Sequence, residues 1–292
     1  MKINNFAVYI AFSIIIYGCG GGGGSDSDTG SHALKLPDAP TLIEVKSEEN
    51  RDVKLTWTPV NGVEYYNVYY STDPQIDIRH YSVYANNGFA RKIKSPFIIK
   101  DLPIAPVYYF VITSIQNELE SSASKTVAVI NRYEVVGEEK DIIRDKFAGL
   151  EWQRCSLGQV WNKSKNTCDG VAGRYNTKFA FSYDGSSAGK WRLPYMAELR
   201  SLTYCVEDYK ITFIGLTDKN YCPSNVESGV SSEMFPNTAL SDGFYHSATQ
   251  YMGRDGVYYM VNLKNGGATG FGCGRYCEDT STYVRLVRYY SE

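Results

Sequence analysis

The feature that most constrains the fold is a set of short runs in which apolar residues recur at every second position. Val53, Leu55 and Trp57 alternate with polar neighbours, as do Tyr66, Val68 and Tyr70, and then Tyr108, Phe110 and Ile112. Successive side chains of a strand point to opposite faces, so a period of two marks a strand with one buried face. Pro, Gly and Asn punctuate these runs between about Pro37 and Asn131, which predicts an antiparallel all-β sandwich over residues 37–131. From about Tyr133 to Glu292 the texture changes, with frequent Trp, Cys and Gly and long irregular stretches. Residues Tyr195 to Leu202 form the best helical candidate, with Met196, Leu199 and Leu202 on one face, while Val257 to Leu263 and Tyr283 to Tyr289 alternate as strands. The second half, residues 133–292, is therefore expected to be an α+β domain. Two domains suit a chain of 292 residues.

The amino end carries an address. Met1 and Lys2 precede an apolar run from Phe6 to Tyr17, and the small residue Gly18 stands before Cys19. A positive start, an apolar core and a small residue make a secretory signal over residues 1–18. The run is shorter than the roughly 20 apolar residues that span a bilayer. Ile16, Tyr17, Gly18 and Cys19 resemble the bacterial lipobox, which implies a diacylated Cys19 at the start of the mature chain and anchorage to a bacterial membrane, here expected to be the outer one. Gly20 to Gly24 and the Ser/Asp-rich residues after them, within the segment 19–36, read as a flexible tether.

A net charge of -2 and a pI near 6.0 disfavour a nucleic-acid partner, which calls for a basic stripe or patch. Six of the seven cysteines, Cys155, Cys168, Cys205, Cys222, Cys273 and Cys277, lie from residue 155 onward. An even set behind an export signal is expected to form disulfides. Six cysteines allow 15 connectivities, and proximity favours Cys155 with Cys168, Cys205 with Cys222, and Cys273 with Cys277. His32, His80 and His246 match no metal-binding spacing and are expected at the surface or in turns. The 25 tyrosines suit half-exposed strands.

Two resemblances add to this reading. Ala39-Pro40, Leu55-Thr56-Trp57, Tyr66 to Tyr70, Leu102-Pro103 with Tyr108, and Glu120-Ser121 make residues 37–131 similar to a fibronectin type III domain. Trp57 is then a core residue and Tyr108 a tyrosine corner. No Arg-Gly-Asp stands in the last loop, and the domain reads as a spacer. In the second half, Gly149-Leu150, Trp152 to Cys155, Gly158-Gln159, Trp161, Cys168, Gly170, Trp191-Arg192-Leu193-Pro194 with Glu198-Leu199, Phe235-Pro236-Asn237 and Tyr283 to Arg288 resemble the Lcl C-terminal family. That resemblance implies a C-type lectin-like fold, with the two ends of the domain paired as neighbouring strands, and binding to glycans or other surface polymers. The chain departs from the family at Leu286, where a cysteine is usual, and at Phe244-Tyr245-His246-Ser247. Its near-balanced charge does not favour sulfated polymers.

Calcium-dependent sugar binding needs several converging oxygens, and Asp255 with Glu278-Asp279 are the only tempting acids. Aromatic rings can stack on sugars, and Tyr245, Tyr251, Tyr258 and Tyr259 are dense enough to suggest a platform, while Trp152, Trp161 and Trp191 are expected in the core. The Arg-Leu-Pro stretch also resembles formylglycine-generating enzymes, which bind copper through two cysteines. Cys273 and Cys277 stand in the corresponding region, one residue closer together than in those enzymes. No nucleophile motif is present, so no catalysis and no cofactor are expected. The sequence thus reads as a lipid-anchored envelope protein that recognises a glycan, a surface polymer, or an envelope or host protein, through an adhesive terminal domain.

Overall fold

The computed structural model describes residues 35–48, 51–80, 87–183, 190–217, 219–241, 243–272 and 281–290. Cys19, the signal, the tether up to residue 34, His32, Cys273, Cys277, Glu278 and Asp279 lie outside the described residues.

The first half is a two-sheet sandwich. Strands β1 (Thr41–Ser47), β2 (Val53–Thr58) and β5 (Phe97–Ile99) form one sheet in the order β1-β2-β5. Strands β3 (Tyr65–Ser71), β4 (Gly88–Ile93), β6 (Val107–Gln116) and β7 (Leu119–Glu120) form the other in the order β4-β3-β6-β7, with β8 (Val127–Ile130) also paired to β6. The alternating residues meet between the sheets: Val53, Leu55, Trp57, Val68, Tyr108, Phe110 and Ile112 are all buried in one cluster. Tyr108 Oη donates to the Pro103 carbonyl at 3.1 Å, a return bond of the kind that defines a tyrosine corner.

Strand β6 does not alternate. Eight consecutive residues, Val107 to Ser114, are buried, because both faces are covered. Tyr108, Phe110 and Ile112 face the sandwich core, while Val107 and Tyr109 pack with Phe213 from the second half.

The second half has strands β9 (Tyr133–Val136), β10 (Ile142–Asp145), β11 (Leu150–Gln153), β12 (Val160–Asn162), β13 (Thr167–Asp169) and β14 (Arg174–Asn176). Helices α1 (Thr177–Ala180) and α2 (Met196–Leu202) follow. Then come β15 (Tyr204–Glu207), β16 (Lys210–Phe213), β17 (Glu227–Gly229), β18 (Phe244–Gln250), β19 (Val257–Asn262), β20 (Ala268–Gly272), β21 (Ser281–Tyr283) and β22 (Val287–Tyr289). One sheet runs β22-β11-β10-β9 and another β14-β21-β18-β19-β20. The last strand, β22, pairs antiparallel with β11 near the start of the domain, Trp152 opposite Val287. Leu199 and Leu202 of α2 sit with Trp152, Tyr245 and Val261 in the main core.

The strand expected over Tyr283 to Tyr289 divides into β21 and β22. Between them the fully buried Arg285 sends Nη1 to the carbonyls of Gln153 and Arg154 and Nη2 to Ser156 and Thr238. A side chain that takes two main-chain carbonyls interrupts the ladder those carbonyls would otherwise join.

The halves are fused at the residue where sequence texture changes. Arg132 is 1% exposed, pairs with the buried Asp145 through Nε and Nη2, and donates Nη1 to the Ser201 carbonyl at 2.9 Å. Tyr109 Oη donates to the Ile211 carbonyl at 3.2 Å and accepts from the Ile211 amide at 3.1 Å. Residues from Leu36 onward accordingly form one compact unit. Among the described residues no helix is long and apolar enough to cross a membrane. Tyr109→Phe should cost about 1–2 kcal/mol through the two lost hydrogen bonds, and Phe213→Ala about 3–5 kcal/mol through the emptied volume. Urea unfolding should also show the transition of Phe213→Ala splitting into two steps as the halves uncouple.

Candidate binding cleft

The four tyrosines do not assemble into a platform. Tyr245 is fully buried in the core, and its hydroxyl meets Ser156 Oγ at 2.9 Å and accepts from the Ala239 amide at 3.3 Å. That is a correction to the expected sugar contact, since both the ring and its polar tip are spent internally. Tyr258 and Tyr259 are neighbours on β19, so they point to opposite faces of the sheet. Tyr258 packs on Phe181 at 4.2 Å between ring centroids, and Tyr259 meets Tyr251 at 4.9 Å. Gly270, opposite Tyr259, makes room for this pair, because a Cβ there would lie 2.2 Å from the Tyr251 ring.

Cys155 is bonded to Cys168 and Cys205 to Cys222, while Cys273 and Cys277 fall outside the described residues. Asp255 is exposed, and among the described residues no three His, Cys, Asp or Glu side chains converge as metal ligands would. Trp152 is buried, whereas Trp161 and Trp191 are half-buried and lie under guanidiniums, Arg154 at 4.0 Å and Arg288 at 4.5 Å. His80 is exposed beside Asp77, with Nδ1 at 3.1 Å. His246, expected in a turn or at the surface, is instead 1% exposed on β18, with Nε2 2.8 Å from the Tyr175 carbonyl and Nδ1 unpartnered. Burial holds its pKa below the ordinary imidazole value.

The motif residues of the second half build scaffold. Arg192 grips Glu198 with both Nη atoms, at 2.8 and 2.7 Å, and Glu198 Oε2 accepts the Tyr195 amide at 2.7 Å, closing the first turn of α2. Arg192 also exchanges main-chain bonds with Val287 at 2.9 and 3.0 Å. Asn237 Nδ2 donates to the Cys168 carbonyl at 2.8 Å.

A cleft of about 500 Å³ opens where the two halves meet. Lys46 and Ser47 at the end of β1, with Glu48 and Arg51 beyond it, line one side, and Asn131 with Tyr133, Glu134 and Val135 of β9 lines another. Lys140, Arg154, Glu233 and Met234 complete it. Arg154 is 1% exposed and is held on this wall by the carbonyls of Met234 at 3.1 Å, Lys140 at 3.1 Å and Glu233 at 2.7 Å and by Asn166 Oδ1 at 3.1 Å, with no carboxylate among its hydrogen-bond partners. Burial pushes its pKa down to about 10. Some of the other charges are answered: Lys146 meets Glu134 at 2.9 Å and Arg51 pairs with Asp101. Two polar atoms are not. Asn131 Nδ2 and Tyr133 Oη are buried with no hydrogen-bond partner, and burial raises the Tyr133 pKa. The sequence reading missed this cleft because its walls come from both halves. The available signal was the unbroken apolar run of β6, which requires a cover on its second face.

A family model described as the Lcl C-terminal domain matches residues 141–288, just over half of the 292-residue chain. Among solved structures, an Fn3-like protein from Clostridium thermocellum aligns at 23% identity over 32% of this chain and 92% of its own, with a TM-score of 0.26. The third fibronectin III domain of the human KIAA0343 protein aligns at 18% identity over 39% of this chain and 98% of its own, with a TM-score of 0.29. A search of curated proteins returned no match.

Two outcomes follow from these side chains. Arg154→Lys cannot reach four diverging acceptors, so it should destabilise the protein on the order of 3 kcal/mol in urea titrations. For His246, the unfolded chain takes up a proton that the folded chain refuses as pH falls below about 6.5. Stability should therefore decline from that point down to the lower folded-state pKa and then level off, and His246→Gln should abolish the decline in thermal melts run across pH.

Proposed function

The chain belongs to the Lcl C-terminal domain family, and from that premise we propose that it is an extracellular binding module, tethered through a lipidated Cys19 to a bacterial outer membrane, whose ligand site is the cleft between its two halves. The terminal half is read as a C-type lectin-like domain, supported by the pairing of its last strand, β22, with β11 near its start. The ligand outside the cell is a surface polymer, a glycan or the chain of an envelope or host protein, and adhesion is the role this serves.

One observation carries the reading. A buried donor left without an acceptor costs about 1–3 kcal/mol, and two such donors, Asn131 Nδ2 and Tyr133 Oη, belong to residues lining one cleft. Both atoms are closed off in the unliganded protein, so ligand binding here requires each side chain to turn towards the cleft. A ligand rich in oxygen acceptors supplies what the protein leaves open. The charges of both signs around them fit a neutral or mixed ligand.

Two measurements test this. Cys19→Ala should move the protein from the membrane fraction to the soluble exported fraction, and continued membrane attachment would overturn the anchor. On a glycan array, Tyr133→Phe should bind the same glycans about 5- to 20-fold more weakly while its melting temperature holds or rises, since the change removes only an unpaired hydroxyl. Unchanged affinity would remove the cleft from the binding site. Protein assembly at the envelope is the second reading, and the strand edges bordering the cleft favour it.

A further inference from the structure

Both strands that border the cleft are edge strands. β9 ends the sheet β22-β11-β10-β9, and β1 ends the sheet β1-β2-β5. In an antiparallel pair the residues alternate between those that exchange hydrogen bonds with the neighbouring strand and those whose N–H and C=O point away from it. The register of β9 is set by the Lys146 amide, which donates to the Arg132 carbonyl at 3.2 Å. Counting along the pairing with β10, Glu134 opposite Arg144 and Val136 opposite Ile142 exchange bonds. Tyr133 and Val135 therefore turn their main-chain groups outward, towards the cleft that both residues line.

The same count applies to β1. The Glu48 amide donates to the Asp52 carbonyl at 2.8 Å, so Lys46 bonds Lys54 across the pair and Ser47, opposite Val53, turns outward. Among the described residues, the main-chain N–H and C=O groups of Ser47, Tyr133 and Val135 meet no backbone partner.

Resting on the cleft as the binding site, we infer that its ligand is an extended peptide segment of a partner protein, which adds as a strand to the edge of β9. The outward groups of Tyr133 and Val135 are two residues apart, about 6.6–6.8 Å along the strand. A donor and an acceptor repeating at that interval are matched by another peptide backbone, and sugars have no such repeat. Strand addition draws its affinity from main-chain bonds and its selectivity from alternate side chains. Here Val135 and Met234 offer apolar contact, while Lys46 and Glu48 on the facing strand end offer one charge of each sign. A segment with small or β-branched residues on one face and both charges near its ends fits that lining.

The test uses the full chain and a capped, fluorescent seven-residue peptide of alternating valine and threonine with a lysine at one end and a glutamate at the other. Two further versions carry N-methyl groups on alternate residues, one set for each edge. Fluorescence anisotropy should show saturable binding of the parent peptide, at least tenfold loss with one N-methylated version, and little loss with the other. Val135→Pro removes an outward N–H without touching the β10 ladder, as proline does on an edge strand, and should reduce binding tenfold or more. In the unchanged chain, the Val135 amide should exchange hydrogen quickly when free and slowly with the peptide bound, a readout that holds whether or not the proline variant folds. No peptide binding, equal binding of all three peptides, or a Val135 amide unchanged by the peptide would each overturn the inference. Glycan binding that Tyr133→Phe weakens, with no peptide binding, would leave the cleft standing and remove the peptide; if neither ligand binds, both fall.

Discussion

The pairing of Arg132 with Asp145 is the contact on which the architecture turns. Both side chains are fully withdrawn from water, and the guanidinium also lies over the rings of Phe213 at 4.6 Å and Tyr133 at 5.0 Å. Asp145 Oδ1 further accepts the Ala148 amide at 3.1 Å. Burying two charges is costly, and such a pair adds little net stability over an apolar replacement, yet losing one partner costs about 3–5 kcal/mol. Its consequence here is geometric. The pair clamps the residue that joins the halves to β10, to the end of α2 and to the seam, which leaves the connecting segment no freedom to act as a hinge. The cleft exists because the two halves are held at one angle.

The second half solves a related problem by the same chemical means. Much of its chain is irregular, and buried main-chain carbonyls need donors wherever no ladder supplies them. Arg154 and Arg285 provide these, Arg154 serving carbonyls of two separate segments and Arg285 the neighbouring carbonyls of Gln153 and Arg154. Burial without a carboxylate depresses both pKa values, and rings answer part of the charge, Trp161 for Arg154 and Phe235 for Arg285. The disulfides Cys155–Cys168 and Cys205–Cys222 constrain the same loop-rich region. Arginine here replaces regular secondary structure as the means of satisfying the backbone.

Local periodicity made the sandwich legible, because Val53, Leu55 and Trp57 report their buried face without reference to the rest of the chain. The tyrosine corner was legible for the same reason, since Tyr108 and Pro103 are five positions apart. Helix α2 was legible from Met196, Leu199 and Leu202, but the role of Arg192 as the clamp on Glu198 needs the fold. The tyrosine platform failed because composition does not say which face a residue occupies: Tyr245 went to the core, and Tyr258 and Tyr259 to opposite faces. The cleft was illegible because its partners lie far apart in sequence, with Lys46 and Tyr133 brought to one cleft by a seam that includes Arg132 on Asp145 and Tyr109 on Ile211.

An unpaired strand edge invites unwanted pairing, and proteins limit that hazard by keeping edges short, charged or covered. Strand β9 has four residues, Glu134 stands among them, and Lys146 and Arg144 lie against Glu134 at 2.9 and 3.9 Å. Tyr133 and Val135 line a cleft and not a flat open border, an arrangement that suits one extended strand better than a second sheet. The same seam that fuses the halves thus keeps these edges short, charged and set within a cleft, where their outward groups remain available to one extended segment.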